Sequence, residues 1–135
     1  MDEAHIALCR YRLEKAEKCL KTAENNILID DYQSAANRMY YAVYHALRSV
    51  IALDGVEFKK HSGNISYFRQ NYIKEGLFDA KLSEIISVAS EARNSSDYED
   101  FYVISKADVE EQLENAKLFY EDVAGYLKER LESEE

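Results

Sequence analysis

Apolar residues recur along this chain with the period of an α-helix in four long stretches. In the first, from about Asp2 to Leu28, Ile6, Cys9, Leu13, Ala16, Leu20, Ala23 and Ile27 alternate at spacings of three and four. That is the stripe of a helix packed along one seam. Asp30-Asp31 interrupt the pattern and suit a cap for the next helix. The second stretch runs from about Asp31 to Leu53, with Ala35, Met39, Ala42, Val43, Ala46, Leu47, Val50 and Ile51 on one broad face, and Asp54-Gly55 stop it. A short basic connection, Val56 to Lys60, leads to a brief helix expected from Ser62 to about Glu75. Ile65, Phe68, Tyr72 and Ile73 share one side of it, and Gly76 ends it. The third long helix is expected from about Asp79 to Asp97 on Leu82, Ile85, Ile86, Ala89 and Ala92. The fourth is expected from about Ser105 to Leu131 on Val109, Leu113, Ala116, Tyr120, Val123 and Leu127. Ser105 followed three residues on by Asp108 is a variant of the capping box. The pattern predicts an all-α fold: an antiparallel four-helix bundle, helices crossing at about 20°, with a short extra helix between helices two and three.

Length and composition sharpen this picture. The 135 residues fit a single domain over 1–135 that buries a core without a metal or disulfide staple. Zero proline and four glycines argue against a β-sandwich or barrel, and no GxGxxG or GxxxxGK[ST] loop occurs. No apolar run reaches the ~18 residues of a membrane span, and no secretory leader is expected. Cys9 and Cys19 are ten residues apart on one helix, roughly 15 Å, too far for a disulfide. Two free thiols fit a reducing cytoplasm. Without CxxC or HExxH, and with only His5, His45 and His61, neither a metal site nor any other cofactor is expected.

The net charge of −9 repels polyanions on average, so bulk nucleic-acid binding, and DNA in particular, is not expected. The acidic end, Glu129, Glu132, Glu134 and Glu135, supplies part of that excess. It leaves room for a small cationic cleft of Arg38, Lys59, Lys60 and Arg93.

Three polar clusters stand out from the helical pattern. On helix two, Arg38, Tyr41, His45 and Arg48 fall roughly opposite the apolar face, with Tyr40 and Tyr44 on the flank between. Such a second face suits a homodimer interface or a ligand cleft, or else hydrogen-bonded core residues. In Arg93-Asn94-Ser95-Ser96-Asp97-Tyr98, Arg93 continues an apolar stripe, and Asp97 four residues on is placed to pair with it. Lys59-Lys60-His61-Ser62-Gly63 precedes a helix whose first amides can hold an anion.

Together these clusters resemble a known family. Ala35-Ala36-Asn37-Arg38-Met39-Tyr40-Tyr41-Ala42-Val43-Tyr44-His45-Ala46 is similar to the AxNRxYYAxFHA pattern of HEPN domains, in the small stand-alone prokaryotic subgroup. The KxHSG and RxxxDY elements of that subgroup follow in order, at Lys59 to Gly63 and Arg93 to Tyr98. The resemblance covers nearly the whole chain. It implies a helical bundle, usually dimeric, often acting with a minimal nucleotidyltransferase in a toxin–antitoxin or nucleotide-handling pair. Many active members of the family are metal-independent ribonucleases with an R-x4–6-H motif whose Arg and His meet across a dimer cleft. Here the histidine window after Arg93 falls on Tyr98, Glu99 and Asp100, none of which titrates near neutrality as imidazole does. Arg38 and His45 satisfy R-x6-H only on the wrong helix.

Three readings follow. The first is a nucleotide- or RNA-phosphate-binding module using Arg38, Tyr41, His45, Lys60, His61, Ser62, Arg93, Asp97 and Tyr98. The second is a ribonuclease with His45 or His61 as base and Arg93 stabilising charge. The third is a bundle whose polar clusters only specify folding and dimerisation. If His61 holds an anion, affinity should rise below about pH 6.5.

Overall fold

The computed structural model describes residues 1–133; Glu134 and Glu135 of the acidic end lie outside the described residues. Helix α1 (Glu3–Leu28) is capped by the Asp2 carboxylate, which accepts from the backbone N–H groups of Ala4 and His5. A tight turn through Asp30, at φ 60°, reverses the chain. Asp31 then caps α2 (Tyr32–Ala52) by accepting from the Ser34 N–H at 3.2 Å. α3 spans His61–Phe68, α4 Lys81–Tyr98 and α5 Lys106–Ser133, and no strand occurs among the described residues.

α2 is the centre of the molecule and packs against α1, α3, α4 and α5. Its sequence explains this position. All eight residues of its predicted apolar face are buried, and so are Tyr40, Tyr44 and Ser49 on other sides. A helix buried nearly all round must lie inside the bundle. The α1 and α4 stripes close over it as expected, with Cys9, Ala16, Leu20 and Ala23 buried on one helix and Leu82, Ile85, Ile86 and Ala92 on the other. Both cysteines are free and buried.

Three local differences from the sequence expectation have physical causes. The helix expected over 62–75 is α3 followed by a wider π-helical turn, Arg69–Ile73. The wider turn carries Tyr72 round so that its ring stacks on that of Phe68, centroids 5.6 Å apart, with both buried. Helix α4 begins two residues later than expected because Asp79 serves as a local cap, accepting from the Lys81 N–H at 2.8 Å. On α5 the core residue is Phe119, fully buried against Phe68, while neighbouring Tyr120 turns outward to donate to Glu17. The Ser105 cap forms as read, its Oγ accepting from the Asp108 N–H at 3.1 Å. No helix among the described residues is long and apolar enough to cross a membrane.

Candidate functional site

Tyr40, Tyr41, Tyr44 and His45 occupy two successive turns of α2, so the spacing of the motif itself stacks their rings. Tyr40 and Tyr44 lie nearly parallel, centroids 5.9 Å apart, and Tyr41 stands edge-on to both. His61, the first residue of α3, lies against this array with its ring 4.0 Å from that of Tyr44. Its Nδ1 is 2.9 Å from the Tyr40 hydroxyl. The loop that delivers His61 is held by a buried side chain. Asn64 accepts from the Phe58 N–H and donates to the Phe58 carbonyl and the Tyr44 hydroxyl. Gly63 is required there, since a Cβ at that position would meet the Phe58 Cβ at 2.8 Å.

Two arginines complete the cluster. Arg93 reaches across from α4, its guanidinium carbon 4.7 Å from the Tyr40 ring centre and 5.5 Å from that of Tyr41. Arg38, on α2, lies 5.2 Å from the Tyr41 centre and is braced by donating twice to the Asn37 Oδ1, at 2.9 and 2.6 Å. Tyr41 is therefore the hub, with Arg38, Arg93, His45 and His61 all within 6 Å of its ring centre. Neither Arg38 nor Arg93 has a carboxylate partner among the described residues, and the Nε of Arg93 is buried without any partner. Aromatic faces hold both cations by cation–π attraction while leaving their charge uncompensated.

The structure thus brings together Arg38, Tyr41, His45, His61 and Arg93. It does not pair Arg93 with Asp97. Arg93 turns inward onto the tyrosines, and Asp97 instead accepts from the Asn37 Nδ2 at 3.1 Å, on a neighbouring helix. Asp97 therefore stands at the margin of the cluster. Lys60 caps α3 through its backbone, and its side chain and that of Ser62 are exposed beside His61. Tyr98 is 77% exposed and has no ring neighbour among the described residues. Arg48 stays at the edge of the cluster, its guanidinium carbon 5.4 Å from the Tyr44 ring centre, but Glu57 pairs with it at 2.7 Å, in a network with buried Arg12 that sequence periodicity did not reveal.

Burial and neighbouring cations set the protonation of the two histidines. Burial pushes His45 down to about 4, helped by Lys15, Arg48, Arg38 and Arg12, and its buried Nδ1 has no partner. Burial also lowers His61, with Arg93 and Arg48 adding to it. At neutral pH both imidazoles are uncharged, so the guanidinium groups carry the positive charge of the cluster. The rise in anion affinity expected of His61 accordingly moves below the ordinary histidine range. No group of three or more His, Cys, Asp or Glu among the described residues is arranged to hold a metal ion.

Comparison with known proteins places this arrangement in context. The sequence matches the HEPN domain family over residues 9–129. A protein of Methanocaldococcus jannaschii named as a candidate toxin is 31% identical over 115 residues, covering 85% of this chain and 78% of its own. A UPF0332 protein of Thermotoga maritima is 25% identical over 116 residues, covering 86% and 88%. The crystal structure of TT1696 from Thermus thermophilus superposes with a TM-score of 0.73 at 21% identity, covering 87% of this chain and 97% of that one. That last likeness concerns the all-α bundle alone.

Proposed function

The chain belongs to the HEPN domain family, and we propose that it is a phosphate-binding module of that family, taking a nucleotide or RNA at the Tyr41 cluster. One observation carries this reading: Arg38 and Arg93 stand together on Tyr41 with no carboxylate to neutralise either among the described residues. Guanidinium groups suit phosphate because their planar N–H pairs match two phosphate oxygens at once. Holding two uncompensated charges around one ring is costly, and a bound dianion offsets that cost. His61 contributes as well, its ring 5.9 Å from that of Tyr41. Its Nδ1 is engaged by the Tyr40 hydroxyl, so Nε2 is the ring nitrogen without a partner among the described residues. Lys60 and Ser62 extend the reach of the site at the exposed start of α3.

The module works, on this reading, as a cytoplasmic homodimer with a minimal nucleotidyltransferase in a toxin–antitoxin-like pair. Relatives named as candidate toxins support the toxin–antitoxin part of that reading. Calorimetry with AMP and with a short RNA, in EDTA at about 50 mM salt, tests the binding step. Micromolar or tighter binding is expected, weakened about tenfold by Arg38→Ala or Arg93→Ala. No binding of either ligand overturns the reading. Sedimentation equilibrium and co-purification with a co-expressed minimal nucleotidyltransferase test the dimer and the pair.

A second reading is favoured by one contact pattern. Arg93 and His61 both contact Tyr40, one over its ring and one at its hydroxyl, which brings a candidate phosphorane-stabilising group and a candidate base of a metal-independent ribonuclease to one side chain. His45 fits this role less well because its Nδ1 is sealed from solvent. RNA cleavage in EDTA that is lost in both His61→Ala and Arg93→Ala supports this reading; cleavage that persists in both rejects it.

A further inference from the structure

Beside the Tyr41 cluster, the end of α1, the start of α2 and the end of α4 enclose an open cleft of about 510 Å³. Its lining is unusual. Small-molecule sites are mostly apolar, yet every side chain here is an amide, a hydroxyl, a guanidinium or a carboxylate, among them Asn26, Gln33, Asn37, Arg38, Ser96 and Asp97. Asn26 and Ser96 line it, and behind its surface Asn26 Oδ1 and Ser96 Oγ are buried without a hydrogen-bond partner. Resting on the phosphate-binding reading, we propose that this cleft recognises the vicinal 2′,3′-diol of a ribonucleotide whose phosphate sits on Arg38 and Arg93.

The chemistry of the two ends selects that ligand. Arg38 borders both the cleft and Tyr41, so it joins the two subsites. Asp97 lies on the far side of a single carboxamide from Arg38. Asn37 Oδ1 accepts from Arg38 while its Nδ2 donates to Asp97 Oδ2. That carboxamide is locked at both ends, so the spacing of cation and carboxylate is fixed before any ligand arrives. Asp97 is exposed, and its Oδ1 has no partner among the described residues. An inorganic anion is attracted at Arg38 but repelled at Asp97. A neutral sugar brings only hydroxyl acceptors to Arg38 and leaves its charge uncompensated. A molecule with an anion at one end and hydroxyl donors at the other satisfies both, and carboxylates are suited to accept from ribose hydroxyls. The same diol occurs on a free ribonucleotide and at the 3′ end of RNA.

Calorimetry compares AMP with 2′-deoxy-AMP and 2′,3′-dideoxy-AMP, and a pentaribonucleotide ending in a free 3′-hydroxyl with one ending in a 3′-phosphate. The expected result is that AMP binds about tenfold more tightly than the dideoxy form. In Asp97→Asn, an exposed and near-isosteric change, that ratio falls to about one while the dideoxy form still binds. A stronger preference for the free 3′-hydroxyl oligomer than for AMP identifies the RNA end as the source; the reverse identifies the free nucleotide. Equal affinity for AMP and its dideoxy form, or a ratio unchanged in Asp97→Asn, overturns the diol inference while leaving phosphate binding intact. Failure of every ligand to bind overturns both.

Discussion

The guanidinium carbon of Arg93 lies 4.7 Å from the centre of the Tyr40 ring, on a tyrosine whose hydroxyl is 2.9 Å from Nδ1 of His61. One side chain of α4 thus governs the first residue of α3 through a ring of α2. Arg93 is also the largest electrostatic cause, after burial, of the lowered His61 pKa.

Arg93→Ala removes that positive charge and opens Tyr40 to water. Both changes favour the imidazolium, so the His61 pKa should rise towards its ordinary value near 6.5. An NMR titration of the imidazole resonances measures it. An unchanged His61 midpoint would mean that the Arg93 charge is not felt there.

His45 predicts a pH dependence of stability. Its pKa falls from 6.5 to about 4 on folding, so between those values the unfolded chain binds more protons than the folded one. Stability is therefore full above about pH 6.5 and declines as pH falls towards 4. His61, also lowered, adds to the same slope. The urea midpoint should drop between pH 7 and pH 5, above the range where carboxylates begin to protonate. His45→Gln should flatten that drop. A wild-type midpoint that holds steady over this window contradicts the sealed, neutral state of His45.

The helical stripes were legible in the sequence because burial on a helix follows a local period. The eight-residue apolar face of α2 and the Ser105 cap needed no knowledge of neighbours. The convergence of Arg38, His45, His61 and Arg93 was harder to read. It depends on α3 and α4 meeting α2 at one level, which neither periodicity nor the order of the motifs fixes. Pairing was the weakest inference. Arg93 and Asp97 have the spacing of an ion pair, but a guanidinium facing two tyrosines and a carboxylate facing an amide across the helix gap both found other partners. Arg12 and Asn64 stayed hidden because each is a polar residue whose burial is settled by distant groups.

Asn64 offers a direct test of how the His61 loop is held. Asn64→Leu keeps the volume but removes three hydrogen bonds, leaving the Phe58 backbone and the Tyr44 hydroxyl unpaired near the core. At roughly 1 kcal/mol each the loss is about 3 kcal/mol, which lowers Tm by about 10 °C in a chain of this size. Amide exchange at Phe58 should accelerate with it. A variant within a degree of the parent would show that the loop is held by other contacts.

The network of Arg12, Arg48 and Glu57 predicts an asymmetry. Arg12 is 6% exposed and donates both to the Arg48 carbonyl, at 3.1 Å, and to Glu57; Arg48 reaches the other Glu57 oxygen at 2.7 Å. One carboxylate therefore neutralises two guanidinium groups. Arg12→Met removes a buried charge, keeps most of the packing, and returns a half-exposed Glu57 to Arg48 and water. Its cost should be about 1 kcal/mol. Glu57→Ala leaves two cations side by side, one of them buried, with nothing between them. That is the situation in which breaking an ion pair is most destabilising, and its cost should be about 3 kcal/mol. In the double variant, Arg12→Met should restore part of the stability lost in Glu57→Ala, because the buried charge has gone. Urea denaturation of the two single variants and the double variant decides it: additive losses would mean that Glu57 does not couple the two arginines.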